Sequence, residues 1–260
     1  MTASLLPRLT VPLPQNPFTP CLGLAGDVGK PEVGEAVGPA PLDSEAEFAW
    51  YRWLLGHHGA FCAWRLLAAA LARGDLGEAA DLYDTYSALL LYAGSCRPEV
   101  YRSVIRPRMA ARHPAMSGKW VRDQRHVSAL LAGAQPAPGS PLKAAVKFNR
   151  LVHVTVAARL VPAGGSLLRD AGRDVHDVPT EAEQALVDDF FLVDRAAVCA
   201  HAFGAAVRAR ASALLADLTE WPVRVTYDRD AVNQFQTGLP VHIGRLVPIA
   251  EAALGEGAKA

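Results

Sequence analysis

Beyond residue 43, apolar residues recur at three- and four-residue intervals in long runs rich in Ala and Leu, without strict alternation. That period is helical. The first helix is predicted to begin at LDSEAEF, where Asp43 or Ser44 can cap and acidic residues fill the first turn. It runs through WYRWLLGHHGAFCAWRLLAAALA to Gly74. A second, LGEAADLYDTYSALLLYAG, stops at Gly94, and a third covers Pro98 to Ala111, bent or divided by Pro107. Residues 119 to 132 and 142 to 161 form two more, separated by the linker GAQPAPGSP. A long helix or pair spans Thr180 to Leu218, and a short one follows near 244 to 254. About seven helices with no fixed repeat predict an all-α helical bundle, its site between facing helices.

Residues 1–43 break this pattern. Their Pro and Gly content forbids regular helix and predicts an extended arm, lying over the body or over a neighbouring subunit in a homodimer. Residues 44–260 then form one helical domain, long enough for a self-supporting core. GDVGK within the arm is not a phosphate loop, because Pro31 stands where Ser or Thr would hold magnesium. Lys and Arg balance Asp and Glu at 26 each, with no basic tract, which argues against a nucleic-acid partner. No apolar run reaches membrane-span length, and no secretory signal is read at the N-terminus. The four cysteines, Cys21, Cys62, Cys96 and Cys199, form no Cys-x-x-Cys pair, so reduced thiols in a cytoplasmic protein are expected.

Three places combine ionisable groups with apolar helix faces. In GHHGAFCAW, His58, Phe61 and Cys62 share a face, while His57 points elsewhere. Gly56 and Gly59 suggest a flat or bulky neighbour there, although a plain core histidine also fits. In RHPAMSGKWVRDQRH, His113 lies in a turn before proline, and Arg122 and Arg125 stand one turn apart. They suit forked binding of a carboxylate, or a solvated basic face balanced by Asp123. In RLVHVTVAARLVPAGGS, His153 shares a stripe with Val146, Arg150 and Leu160. It is either a quiet core residue or a metal ligand such as a haem iron takes, with Arg150 and Arg159 placed for haem propionates.

Taken together, these segments resemble the histidine-ligated haem-dependent aromatic oxygenase superfamily, which includes the tryptophan 2,3-dioxygenases. The distal signature His-x-x-aromatic-x-x-Trp is similar to His58, Phe61 and Trp64. A Ser-Gly turn before a carboxylate-binding arginine is similar to Ser117-Gly118 and Arg125, and Arg-x-x-His-Val before a Gly-rich turn to Arg150, His153 and PAGGS. Residues 45–165 look most like the bacterial haem-dependent L-tyrosine 3-hydroxylases.

The resemblance implies a dioxygenase-like helical fold with haem b between helices. The chain would convert L-tyrosine to 3,4-dihydroxyphenylalanine in natural-product biosynthesis, using hydrogen peroxide, or dioxygen with a reductant. His153 would be the axial ligand, with His201 as the alternative. Arg150, Arg159 and Trp64 would contact the cofactor, and His58 or His113 would act distally. Arg125, helped by Arg122 and Ser117, would hold the substrate carboxylate, with Phe61 and Trp120 against the ring. Relatives with a thioether place cysteine four residues after a histidine; position 157 is Ala, whereas Cys62 does follow His58 at that spacing. Two alternatives stay open: an oxygenase acting on tryptophan or a modified tyrosine, and a non-catalytic haem-binding or interaction module.

Overall fold

In the computed structural model, which describes residues 6–21, 35–162, 164–174 and 176–256, Ser44 starts α1 (Glu45–Arg73). Its hydroxyl accepts the Glu47 amide at 3.1 Å, and Glu45 and Glu47 face the positive end of the helix dipole. Gly74, at φ 75°, ends α1 in the left-handed conformation that glycine adopts without strain. Asp75 at once caps α2 (Leu76–Ala93), so the chain doubles back as a helical hairpin. The two helices lie close because Gly56 and Gly59 carry no side chain. A Cβ at Gly56 would lie 2.8 Å from the Ala93 Cβ, and one at Gly59 2.6 Å from Leu89 Cδ2. The bulky neighbour expected beside these glycines is therefore α2 itself.

α3 (Pro98–Val100) passes through a π turn, Tyr101–Ile105, into α4 (Arg106–Arg112). The bend expected at Pro107 takes this form because proline has no N–H and crowds the carbonyl four residues back. A 3₁₀ turn at Gly118–Trp120 precedes α5 (Arg122–Ala134). Ser140 and Pro141 then open α6 (Pro141–Leu160), which packs along α2. The two come close at Gly94, the residue that ends α2, where a Cβ would stand 2.4 Å from Val156 Cγ1. Gly94→Ala is expected to push α6 from α2 and cost about 1–3 kcal/mol. A lowered urea midpoint at unchanged slope would register this loss.

After α7 (Leu167–Asp170), the long helical stretch expected from Thr180 to Leu218 divides into α8 (Glu181–Phe190) and α9 (Ala200–Glu220). Leu192, at φ 56°, turns the chain into β2 (Val193–Arg195). That strand pairs in parallel with β1 (Leu9–Val11), in the register Leu9 to Val193 and Val11 to Arg195. The architecture is thus an all-α helical bundle carrying one two-stranded sheet. The described N-terminal residues are extended, and Leu6, Leu9 and Val11 are buried in the core. GDVGK and the rest of residues 22–34 lie outside the described residues. α10 (Asp230–Gln236), α11 (Leu239–Gly244) and α12 (Leu246–Glu256) close over α2 and α9. Among the described residues, no helix is long and apolar enough to cross a membrane.

Candidate functional site

The His58 face of α1 is filled by protein. His58 is fully buried and its Nε2 donates to the Phe191 carbonyl at 2.7 Å, in the turn after α8, while its Nδ1 is buried with no hydrogen-bond partner among the described residues. Phe61 meets Trp64 edge-on at 5.4 Å and Phe191 at 6.1 Å, with the Arg195 guanidinium over its ring at 5.4 Å. Trp64 is buried against Tyr86. The signature residues therefore form the seam between α1, α2 and the α8–β2 turn.

Burial drives the His58 pKa down to about 3, with a smaller contribution from the Arg210 charge. An unfolded chain takes up this proton near its ordinary value of about 6.5, so the folded state loses stability as pH falls below that value, and continues to do so down to about 3. His58→Gln, whose amide can still donate to Phe191, is expected to flatten this part of the acid limb in a Tm-against-pH series.

His57, which sequence reasoning set aside, has the more usable ring. Its Nδ1 donates to the Trp53 carbonyl at 2.6 Å, and the ring stacks on Phe191 with centroids 4.3 Å apart. Burial lowers its pKa to about 4. The ring is held neutral with the proton on Nδ1, which leaves the Nε2 lone pair with no hydrogen-bond partner among the described residues. Its orienting partner is a backbone carbonyl, so no residue type in the sequence signalled it.

The segment before α5 divides its polar groups. His113 Nδ1 accepts the Ala115 amide at 3.1 Å, and its ring lies edge-on to buried Trp120 at 4.9 Å. Its Nε2 is 3.9 Å from Glu183, a carboxylate that Arg173 holds at 2.8 Å. Ser117 caps the 3₁₀ turn through the Lys119 amide at 3.3 Å. Arg122 is committed to Glu181 at 2.5 Å and Asp188 at 3.3 Å. Arg125, half-buried on α5, has no side-chain hydrogen bond or ion pair among the described residues. Of the two arginines, it is the one free to take a carboxylate.

α6 presents His153 on an open face with Arg150, Val154, Ala157 and Ala158, all exposed; Val154 is 59% exposed. The protein around the ring and the Lys119 charge lower the His153 pKa, which favours the neutral imidazole. Arg150 has no partner among the described residues. Arg159 instead closes the C-terminus of α2, donating to the carbonyls of Gly94 at 3.1 Å and Cys96 at 3.0 Å. His201 is exposed in the first turn of α9.

The structure thus separates the sequence-selected residues into the sealed His58 seam, the braced loop before α5 and the open face of α6. A cavity of about 630 Å³ lies elsewhere, lined in part by Asp81, Asp84, Phe148, Phe235 and His242, and holds none of them. Among the described residues, no group of three or more His, Cys, Asp or Glu side chains is placed to hold a metal ion. A haem asks for less: one neutral imidazole, apolar surface for the macrocycle and cations for its propionates. His153, the Val154–Ala158 face and Arg150 fit that need, whereas His58, hydrogen-bonded and enclosed, does not.

A family model described as SfmD 3-methyl-L-tyrosine peroxygenase matches residues 4–149, more than half of the chain. The matched stretch contains His57, His58, His113 and Arg125, and ends just before Arg150 and His153. No curated protein matches the chain.

Proposed function

We propose that this chain, which belongs to the SfmD 3-methyl-L-tyrosine peroxygenase family, hydroxylates the ring of a tyrosine-type amino acid with hydrogen peroxide, L-tyrosine giving 3,4-dihydroxyphenylalanine. At the family level the activity is that of a haem-dependent peroxygenase acting on a tyrosine-like aromatic substrate. One oxygen of the peroxide enters the ring beside the phenol hydroxyl and the other leaves as water, so no external reductant is consumed.

The observation that carries the reading is the exposed imidazole of His153 beside Val154, Ala157 and Ala158 on α6, with Arg150, which has no partner among the described residues, one turn away. In this reading His153 holds haem b through its imidazole and Arg150 pairs with a propionate. The bound haem supplies the oxidising chemistry. His57 replaces His58 as the proton-handling group: its Nε2 can accept a proton and return it, while the Nδ1 bond to Trp53 fixes the ring. Arg125 binds the substrate carboxylate through a forked pair of hydrogen bonds.

A second reading, 3-methyl-L-tyrosine as substrate, is favoured by the family description itself. Haem-loaded protein should be mixed with each amino acid and peroxide, and the products identified by mass. A catechol from L-tyrosine supports the first reading; a catechol from the methylated substrate alone supports the second. No hydroxylated product from either contradicts both and leaves a non-catalytic haem-binding module. Hydroxylation only with dioxygen and a reductant contradicts the peroxide assignment. Arg125→Ala is expected to raise KM about 10- to 100-fold while kcat changes less, as befits loss of one charged hydrogen-bonded anchor.

A further inference from the structure

The N-terminal stretch crosses the start of α9. The Thr19 amide donates to the Val198 carbonyl at 3.0 Å, and Thr19 pairs with Cys199 as an isolated parallel bridge. Phe18 packs on Phe203 at 5.1 Å, and Arg65 holds the carbonyls of Pro14 at 2.7 Å and Asn16 at 2.6 Å. The Thr19–Cys199 bridge sets Cys21, exposed and two residues further on, beside the Cys199 thiol.

Cys199 is the N-cap of α9, a helix of 21 residues, and its Sγ accepts the Ala202 amide at 3.4 Å. A thiolate there faces the positive end of the helix dipole. Partial burial works against the charged form, but the Ala202 and His201 amides and the Cys21 thiol outweigh it and leave the Cys199 pKa lowered. The other two thiols differ. Burial pushes Cys62 up to about 12 and half-buried Cys96 up to about 11. Four cysteines that look scattered along the sequence thus form one adjacent, accessible pair and two quiet thiols.

We propose that Cys199 and Cys21 form a peroxide-driven disulfide that fastens the N-terminal stretch to the start of α9. The Cys199 thiolate attacks one oxygen of hydrogen peroxide; the sulfur is oxidised to a sulfenic acid and hydroxide leaves. The Cys21 thiol then attacks that sulfur, the S–S bond forms and water leaves. In sum, two thiols and one peroxide give one disulfide and two waters, and a dithiol reductant reverses the step. Neither step involves haem, so the proposal stands apart from the hydroxylation reading.

The test uses the full chain, fully reduced and then treated with equimolar hydrogen peroxide, followed by intact-mass analysis and non-reducing peptide mapping. The expected result is loss of two hydrogen masses in one product, with the peptides of Cys21 and Cys199 joined and dithiothreitol reversing the change. In Cys21→Ser, the Cys199 sulfenic acid should persist and be captured by dimedone. In Cys199→Ser, which keeps a helix cap, oxidation of Cys21 should slow about tenfold or more. A disulfide through Cys96, a disulfide between two molecules, equal reactivity of the two single variants or no mass change would each overturn the proposal.

Discussion

Replacing His153 by alanine is expected to abolish haem binding while leaving the fold in place. The side chain is exposed on α6, so its removal opens no cavity and should shift stability by no more than about 0.5 kcal/mol. α6 is held to α2 by the opposite stripe, Leu142, Ala145, Asn149, Val152 and Val156, which the substitution does not touch. If His153 is the residue that would hold the haem iron, its loss should weaken haem affinity by more than about 100-fold, since partners one shell further out are already worth about 10- to 100-fold. Soret titration and far-UV circular dichroism separate the two effects. His58→Gln is the matched control and should bind haem as the unaltered protein does.

Replacing Arg195 by leucine should be the most destabilising single change, at about 3–5 kcal/mol. Its guanidinium lies 2.5 Å from Asp123 and 2.7 Å from Asp188, whose side chains are only 2% and 7% exposed. It also donates to the Pro12 carbonyl at 3.3 Å, so one side chain ties α5, α8 and the N-terminal stretch together. Burial pushes the Asp123 carboxyl up, and Arg195 is the cation that opposes this. Without it, Asp123 keeps no ion pair among the described residues, only the Arg65 charge at longer range, while Asp188 retains Arg122. Urea denaturation measures the loss. Exposed pairs such as Arg102–Glu99 should contribute less than about 1 kcal/mol when broken.

Much of the fold was legible because the signals are local. Ser44, Gly74 and Gly94 mark helix ends through caps and turn conformations that depend on a few neighbouring residues. Whether Thr180 to Leu218 was one helix or a pair stayed open, and the strand between α8 and α9 was not legible. VDRAAV carries apolar residues at helical spacing, and it becomes a strand only because β1, more than 180 residues earlier, supplies its partner. The same limit governed the site. That His153 lies on an open helix face, that Arg125 is free while Arg122 is braced, and that Arg159 closes α2 are all set by partners distant in sequence. Helical periodicity placed His58 on the apolar face, as the structure has it. Periodicity says nothing of whether an apolar face meets a cofactor or protein, and here Phe191 fills the place. His57 was passed over because its orienting contact, Trp53, is a backbone carbonyl that no residue-type pattern records.

The most direct test of the central claim is chemical rescue at α6. His153→Gly protein should be mixed with haem, and the Soret region followed as free imidazole is added. If the ring at this position carries the iron, the variant alone shows no protein-bound haem spectrum, and imidazole restores one resembling the unaltered protein, with saturation. A glycine variant that binds haem normally without imidazole would contradict the assignment and place the ligand elsewhere in the bundle.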